Sequence, residues 1–122
     1  MPYCNELAVF DVPPANQAKI ISLSLSLFKE MNAEQELLIS HQILRKTDNP
    51  TQLCWYLVWK DEAAVAKSKA KWSNYPSAKP IEALVTAKVF YGHFMDVNTD
   101  VDVDVDVNNS VASNINSNVA SD

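Results

Sequence analysis

The sequence predicts an α+β fold with the element order βαββαβ. Three observations carry it: two stretches with helical patterning, four shorter runs with strand character between and around them, and an abrupt loss of core-forming composition after about residue 95. At 122 residues the chain has room for one domain and not for two.

Leu7 to Val12 is a short apolar run stopped by Pro13-Pro14, which reads as a strand followed by a break. From Ala15 to Met31 the apolar residues Ile20, Ile21, Leu23, Leu25, Leu27, Phe28 and Met31 cover a broad helical arc, with Ser22 and Ser26 opposite. Leu23 to Leu27 also alternates with period two, as a strand would. The Pro pair ahead of it and the Lys29-Glu30 continuation decide for helix. Leu37 to Lys46 and Gln52 to Lys60 are strands, joined as a hairpin through the turn formers Asp48, Asn49 and Pro50. Leu38 and Leu44 fall on one face of the first of these, Ile39 and Ile43 on the other. Asp61 is an N-cap ahead of the Ala-rich stretch that begins at Glu62, and this helix is expected to reach Trp72. Ser73 to Pro76 ends it, Ser77 to Ala83 adds a short helix, and Leu84 to Phe94, with the single glycine Gly92, is the last strand.

Two crossover helices over four strands form a split βαβ repeat of the ferredoxin-like kind, with the first and third strands central and antiparallel. Cys4 and Cys54 then lie toward opposite ends of the sheet, too far apart for a disulfide. Two thiols without zinc spacing, and a start without a basic, apolar leader, point to a reducing cytoplasm. No apolar run approaches the ~20 residues of a membrane span.

The net charge of -5 belongs to the C-terminal part. All ten Lys and Arg and nine of the 15 acids precede Asp96, so residues 1–96 are close to neutral and offer no nucleic-acid surface. The domain is expected to span 1–96, with 97–122 a disordered acidic low-complexity tail. That tail has no aromatic residue, Gly, Lys or Arg and cannot build a core. Its carboxylates Asp100, Asp102, Asp104 and Asp106 imitate the start of a calcium loop, but the Gly at the sixth position and the Glu at the twelfth are missing.

The segment Trp59-Lys60-Asp61-Glu62-Ala63-Ala64-Val65-Ala66, closing a strand and opening a helix, resembles the antibiotic biosynthesis monooxygenase family of dimeric α/β barrels. The resemblance runs from about Glu6 to Asp96. It implies a four-stranded antiparallel sheet, a homodimer packed sheet to sheet, and a function among cofactor-free oxygenases, haem-degrading enzymes or signal-processing proteins. Many members place a His about nine residues after the Trp, and the haem-degrading branch uses it together with an Asn and a Trp. Here that stretch reads Lys67-Ser68-Lys69, so haem chemistry does not transfer.

Several residues are candidates for a site. Trp55 and Trp59 share a strand face, and Trp72, seven residues after Val65, is placed to roof a pocket over them. Tyr91 belongs to the same aromatic set. The plain alternative is that these rings are core. His41 and His93 have the chemistry for acid–base work, yet the first reads as a satisfied group on an apolar face, and the second stands beside Gly92, whose missing side chain either lets a ligand or another backbone approach closely or marks a bulge. On the second and fourth strands they sit at opposite edges, so no shared metal is expected, and no cofactor. Lys67, Lys69, Lys71 and Lys79 form a solvated basic face. A phosphate loop and a Gly-x-Ser-x-Gly nucleophile elbow are both absent from the sequence.

The sequence therefore predicts a monooxygenase-like domain binding a flat apolar compound between sheet and helices. The alternative is a non-catalytic ligand-binding or structural homodimer of the same fold. Deleting everything after Val97 is expected to leave melting temperature and oligomer size nearly unchanged. A large fall in either, by thermal melt and light scattering, would show that the tail pairs as a strand.

Overall fold

The computed structural model describes residues 2–97. The acidic tail lies outside the described residues, calcium reading included. Strand β1 spans Cys4–Asp11, helix α1 Pro14–Met31, β2 Leu38–Arg45, β3 Gln52–Trp59, α2 Glu62–Ala70, α3 Ala78–Leu84 and β4 Ala87–Met95. A single 3-10 turn, Trp72–Asn74, lies between α2 and α3. The sheet order is β2-β3-β1-β4, with every pair antiparallel. This is the expected four-stranded ferredoxin-like α+β fold, with β1 and β3 central.

Alternation builds the core. Cys4, Glu6, Ala8 and Phe10 of β1 and Leu53, Trp55, Leu57 and Trp59 of β3 are all buried against the helices, while the residues between them are half-buried on the opposite face. Helix α1 starts on Pro14, where a missing N–H costs nothing, and lays Ile20, Leu27, Phe28 and Met31 onto this stripe. The helical reading of Leu23 to Leu27 holds, but its inner face differs from expectation: Ser24 is buried and Leu25 is exposed. The reason is a hydrogen bond. Trp55 Nε1 donates to Ser24 Oγ at 3.1 Å, and that hydroxyl donates to the Ile20 carbonyl at 2.7 Å. Phe10 and Phe28 then meet Trp55 edge to face at 5.4 and 5.2 Å.

Four further details depart from the sequence reading. First, β1 begins at Cys4, three residues before Leu7, which brings Glu6 into the sheet. Second, Leu38 pairs with Trp59 and Ser40 with Val58, so Ile39 is an extra, bulged residue. The bulge flips the parity of β2: Leu38 joins His41 and Ile43 on the helix side, and only Leu44 of the expected pair faces outward. Third, α2 stops at Ala70, so Trp72 opens the 3-10 turn instead of sharing a continuous helix face with Val65. Fourth, β4 begins at Ala87, and its bulge is at Val89 and not at Gly92, since Lys88 pairs with Phe10 and Phe90 with Val9. Gly92 has another cause. Phe90 and Phe94 stack at 6.1 Å across it, and a Cβ there would come within 3.2 Å of the Phe90 ring.

Cys4 and Cys54 are free, as expected. Cys54 pairs with Val9, five residues along β1 from Cys4, a separation of about 17 Å at ~3.3 Å per residue. Among the described residues no helix is long and apolar enough to cross a membrane.

The helix side leaves little room for truncation. Leu57, fully buried in the core, should cost about 2–5 kcal/mol when replaced by Ala. Asp61→Ala, which removes the acceptor of the Ala64 N–H at 2.7 Å, should cost about 1 kcal/mol. Urea denaturation of both variants checks that order.

Candidate functional site

The helices do not cover the sheet evenly. Helix α1 fills the side over β2 and β3, whereas over β1 and β4 the short α2, the 3-10 turn and α3 leave a cavity of about 470 Å³. Its walls are mostly apolar. Ala8, Phe10, Trp55 and Trp59 form the floor, Met31 and Val65 close one side, and Trp72, Ile81 and Val85 form the roof.

The roof is braced by polar contacts. Glu30 of α1 accepts from the Ser77 N–H at 3.0 Å and from its hydroxyl at 2.7 Å, tying the start of α3 to α1. Ser68 and Tyr75 share a hydrogen bond at 3.1 Å, and Trp72 Nε1 donates to Glu82 at 2.7 Å. Trp72 and Tyr75 meet edge to face at 6.4 Å.

One carboxylate is built into the floor. Glu6 alternates inward with Cys4 and Ala8 and is 4% exposed. Trp59 Nε1 donates to its Oε1 at 3.0 Å, and His93 Nε2 lies 3.1 Å from the same oxygen. The register explains the second contact, because Glu6 and His93 are direct cross-strand partners. Tyr91 follows on the same face of β4, with its hydroxyl 3.5 Å from His93 Nε2 and its ring at 89° to the imidazole. Lys69 of α2 lies over the Tyr91 ring at 5.8 Å.

Burial pushes the Glu6 carboxyl above the ordinary glutamate range, and the Trp59 hydrogen bond, His93 and Lys69 pull it back only in part. The Tyr91 phenol is pushed up to about 12, first by desolvation and then by the charges of Glu6 and Cys4, so it remains a proton donor at neutral pH. The floor thus holds one buried carboxyl, with Trp59, His93, Tyr91 and Lys69 around it, in an apolar surrounding.

Of the candidates named from sequence, Trp55, Trp59, Trp72 and Tyr91 all line the cavity. His93 stands one step behind, on Glu6. His41 does not take part: it is exposed on edge strand β2, rests on Phe28 at 4.7 Å and does not line the cavity. Among the described residues no group of three or more His, Cys, Asp or Glu is placed to hold a metal ion. Glu6 was not among the candidates. The signal for it was the alternation itself, which, extended two residues upstream of Ala8, places a carboxylate on the core face.

The elevated titration of Glu6 has a consequence for stability. The folded state holds the Glu6 proton more tightly than the unfolded chain does, so this contribution is full below the ordinary glutamate range and is lost as pH rises through the elevated value. Glu6→Gln is therefore expected to flatten that decline and to gain on the wild type toward neutral pH, in urea midpoints measured from pH 4 to 8.

No family model matches the chain, and no curated protein matches it. Solved structures do. A protein named as an antibiotic biosynthesis monooxygenase from Caulobacter crescentus superposes with a TM-score of 0.68 at 12% identity, over 79% of this chain and 91% of that one. SnoaB from Streptomyces nogalater, named a cofactor-independent oxygenase, gives 0.63 at 24% identity over 81% and 97%. A further protein named as an antibiotic biosynthesis monooxygenase, from Chloroflexus aurantiacus, gives 0.61 at 13% over 78% and 93%. At these identities the likeness concerns the backbone, and it agrees with the resemblance first carried by Trp59 to Ala66: this chain has the fold of the antibiotic biosynthesis monooxygenase-like proteins.

Proposed function

We propose that the chain is a monooxygenase-like small-molecule domain that takes a flat, apolar compound into the cavity between sheet and helices. The observation that carries this reading is the cavity itself. Its volume falls in the range of small-molecule sites, its walls are aromatic and aliphatic, and a buried carboxyl with Trp59, His93 and Tyr91 around it supplies the few polar groups that orient a ligand. A sheet floor and a helix roof favour a planar shape. The likeness to the solved structure named a cofactor-independent oxygenase supports reading this chain as an oxygenase.

The working unit in this proposal is a homodimer in a reducing cytoplasm. The outer face of the sheet supports the dimer: Leu44, Phe90 and Phe94 are 45%, 47% and 46% exposed, and Leu7, Val9, Tyr56 and Val58 lie half-buried between them. A face of this kind is covered by a like face more readily than by water. Two free thiols at opposite ends of the sheet suit the compartment.

Planar phenols and quinols are the compounds to screen, by tryptophan quenching for binding and by an oxygen electrode for turnover without added cofactor. Val65→Trp, which fills the cavity from α2, is expected to weaken binding by about tenfold or more. Phe94→Glu is expected to give a monomer by light scattering. Binding without oxygen uptake would favour the non-catalytic ligand-binding dimer.

A further inference from the structure

The cavity floor holds one buried carboxylate, Glu6, and one side chain that links it to solvent, His93. The groups facing Glu6 are Cys4 on its own strand, Trp59 from β3, Tyr91 and His93 from β4, and Lys69 from α2. The Trp59 indole, the Tyr91 phenol and the Lys69 ammonium are donors at neutral pH, and burial pushes the Cys4 thiol up, away from the thiolate. The second carboxylate of the wall, Glu82, is exposed and already accepts from Trp72. Both contacts to Glu6 fall on Oε1; neither uses Oε2. His93, in turn, is not part of the cavity wall. Its side chain is 23% exposed against 5% for Glu6, so the imidazole reaches the buried carboxyl through Nε2, rests against Tyr91, and meets solvent with part of its ring.

We infer that Glu6 takes a proton from the bound compound and that His93 delivers one to solvent, which makes the ligand a flat apolar molecule carrying an ionisable hydroxyl. The inference rests on the cavity being the ligand site. The ligand O–H bond breaks and an O–H bond forms at Glu6 Oε2. The starting pair is the Glu6 carboxylate with the His93 imidazolium; once Oε2 carries the ligand's proton the imidazolium has lost its counter-charge, keeps the proton on Nε2 and gives the one on Nδ1 to water. The compound remains in the cavity as its anion, and one proton has passed to solvent. No oxidant enters this step. Glu6 is the group in contact with the ligand, and His93 is a positioning residue that also sets the pH at which Glu6 is ready.

The test uses the full chain with 2-naphthol, a photoacid that emits as its anion only where a base takes its proton during the excited state. 2-Methoxynaphthalene, with no proton to give, reports whether the cavity is occupied. Bound 2-naphthol is expected to emit as the anion, and Glu6→Gln is expected to lower the anion-to-neutral ratio by about tenfold or more. His93→Phe removes an interaction that favours the Glu6 carboxylate, so the pH midpoint for anion emission should move upward. Neutral emission from bound 2-naphthol, anion emission that survives Glu6→Gln, or an unmoved midpoint in His93→Phe overturns the inference and leaves the cavity reading standing. If neither naphthalene binds, the cavity reading fails, and the inference falls with it.

Discussion

The helix side of the sheet is organised around Trp55. Its ring is the point at which the aromatic core of α1, through Phe28, meets that of β1, through Phe10, and its indole N–H must find an acceptor once it is buried. Ser24 is that acceptor, and this requirement sets the rotation of α1 about its axis. Ile20, Leu27 and Met31 follow inward, and Leu25 is turned out. A helix held at that angle over β2 and β3 cannot also cover β1 and β4. The cavity exists because α1 is committed elsewhere and the remaining coverage is left to short elements.

Those short elements would be a poor roof without their polar braces. Helix α3 has seven residues and α2 nine, too few for either to be stable alone. Glu30 fastens Ser77 to α1, Tyr75 is pinned to Ser68, and Asp61 caps α2. The enclosure is therefore maintained by hydrogen bonds at its edges instead of by close packing at its centre, which leaves the centre open. A buried carboxyl is tolerated in the floor of such a space because Trp59 and His93 satisfy one oxygen from opposite strands.

How much of this was legible from the residues alone depended on the range of the interaction involved. Element order, the hairpin turn at Asp48 to Pro50, the Asp61 cap and the central position of β1 and β3 are local or follow from local patterns, and each was readable. The tryptophans of the cavity were readable as well, since period two places Trp55 and Trp59 on one face. What escaped depends on the partner strand. The bulge at Ile39 is a mismatch between β2 and β3, and the one at Val89 a mismatch between β4 and β1, and neither has a mark in its own strand. The role of His93 likewise appears only once Glu6 is its cross-strand neighbour. Read in isolation, His41 had the same standing, and only the fold separates the two.

Strand β4 carries two assignments on alternate residues, which meet at Phe90. Tyr91 and His93 serve the cavity, while Phe90 and Phe94 close over Gly92 on the outer face. An edge strand is constrained by one neighbour only, so its sequence has more freedom than that of β1 or β3. The inward positions 91 and 93 can thus be rewritten without disturbing the Phe90–Phe94 stack, and Phe94 rewritten without touching the cavity, whereas Phe90 borders both. For engineering, β4 is a two-channel address: one channel selects the molecule inside, the other the surface presented outside, and a one-residue slip in its register would exchange them.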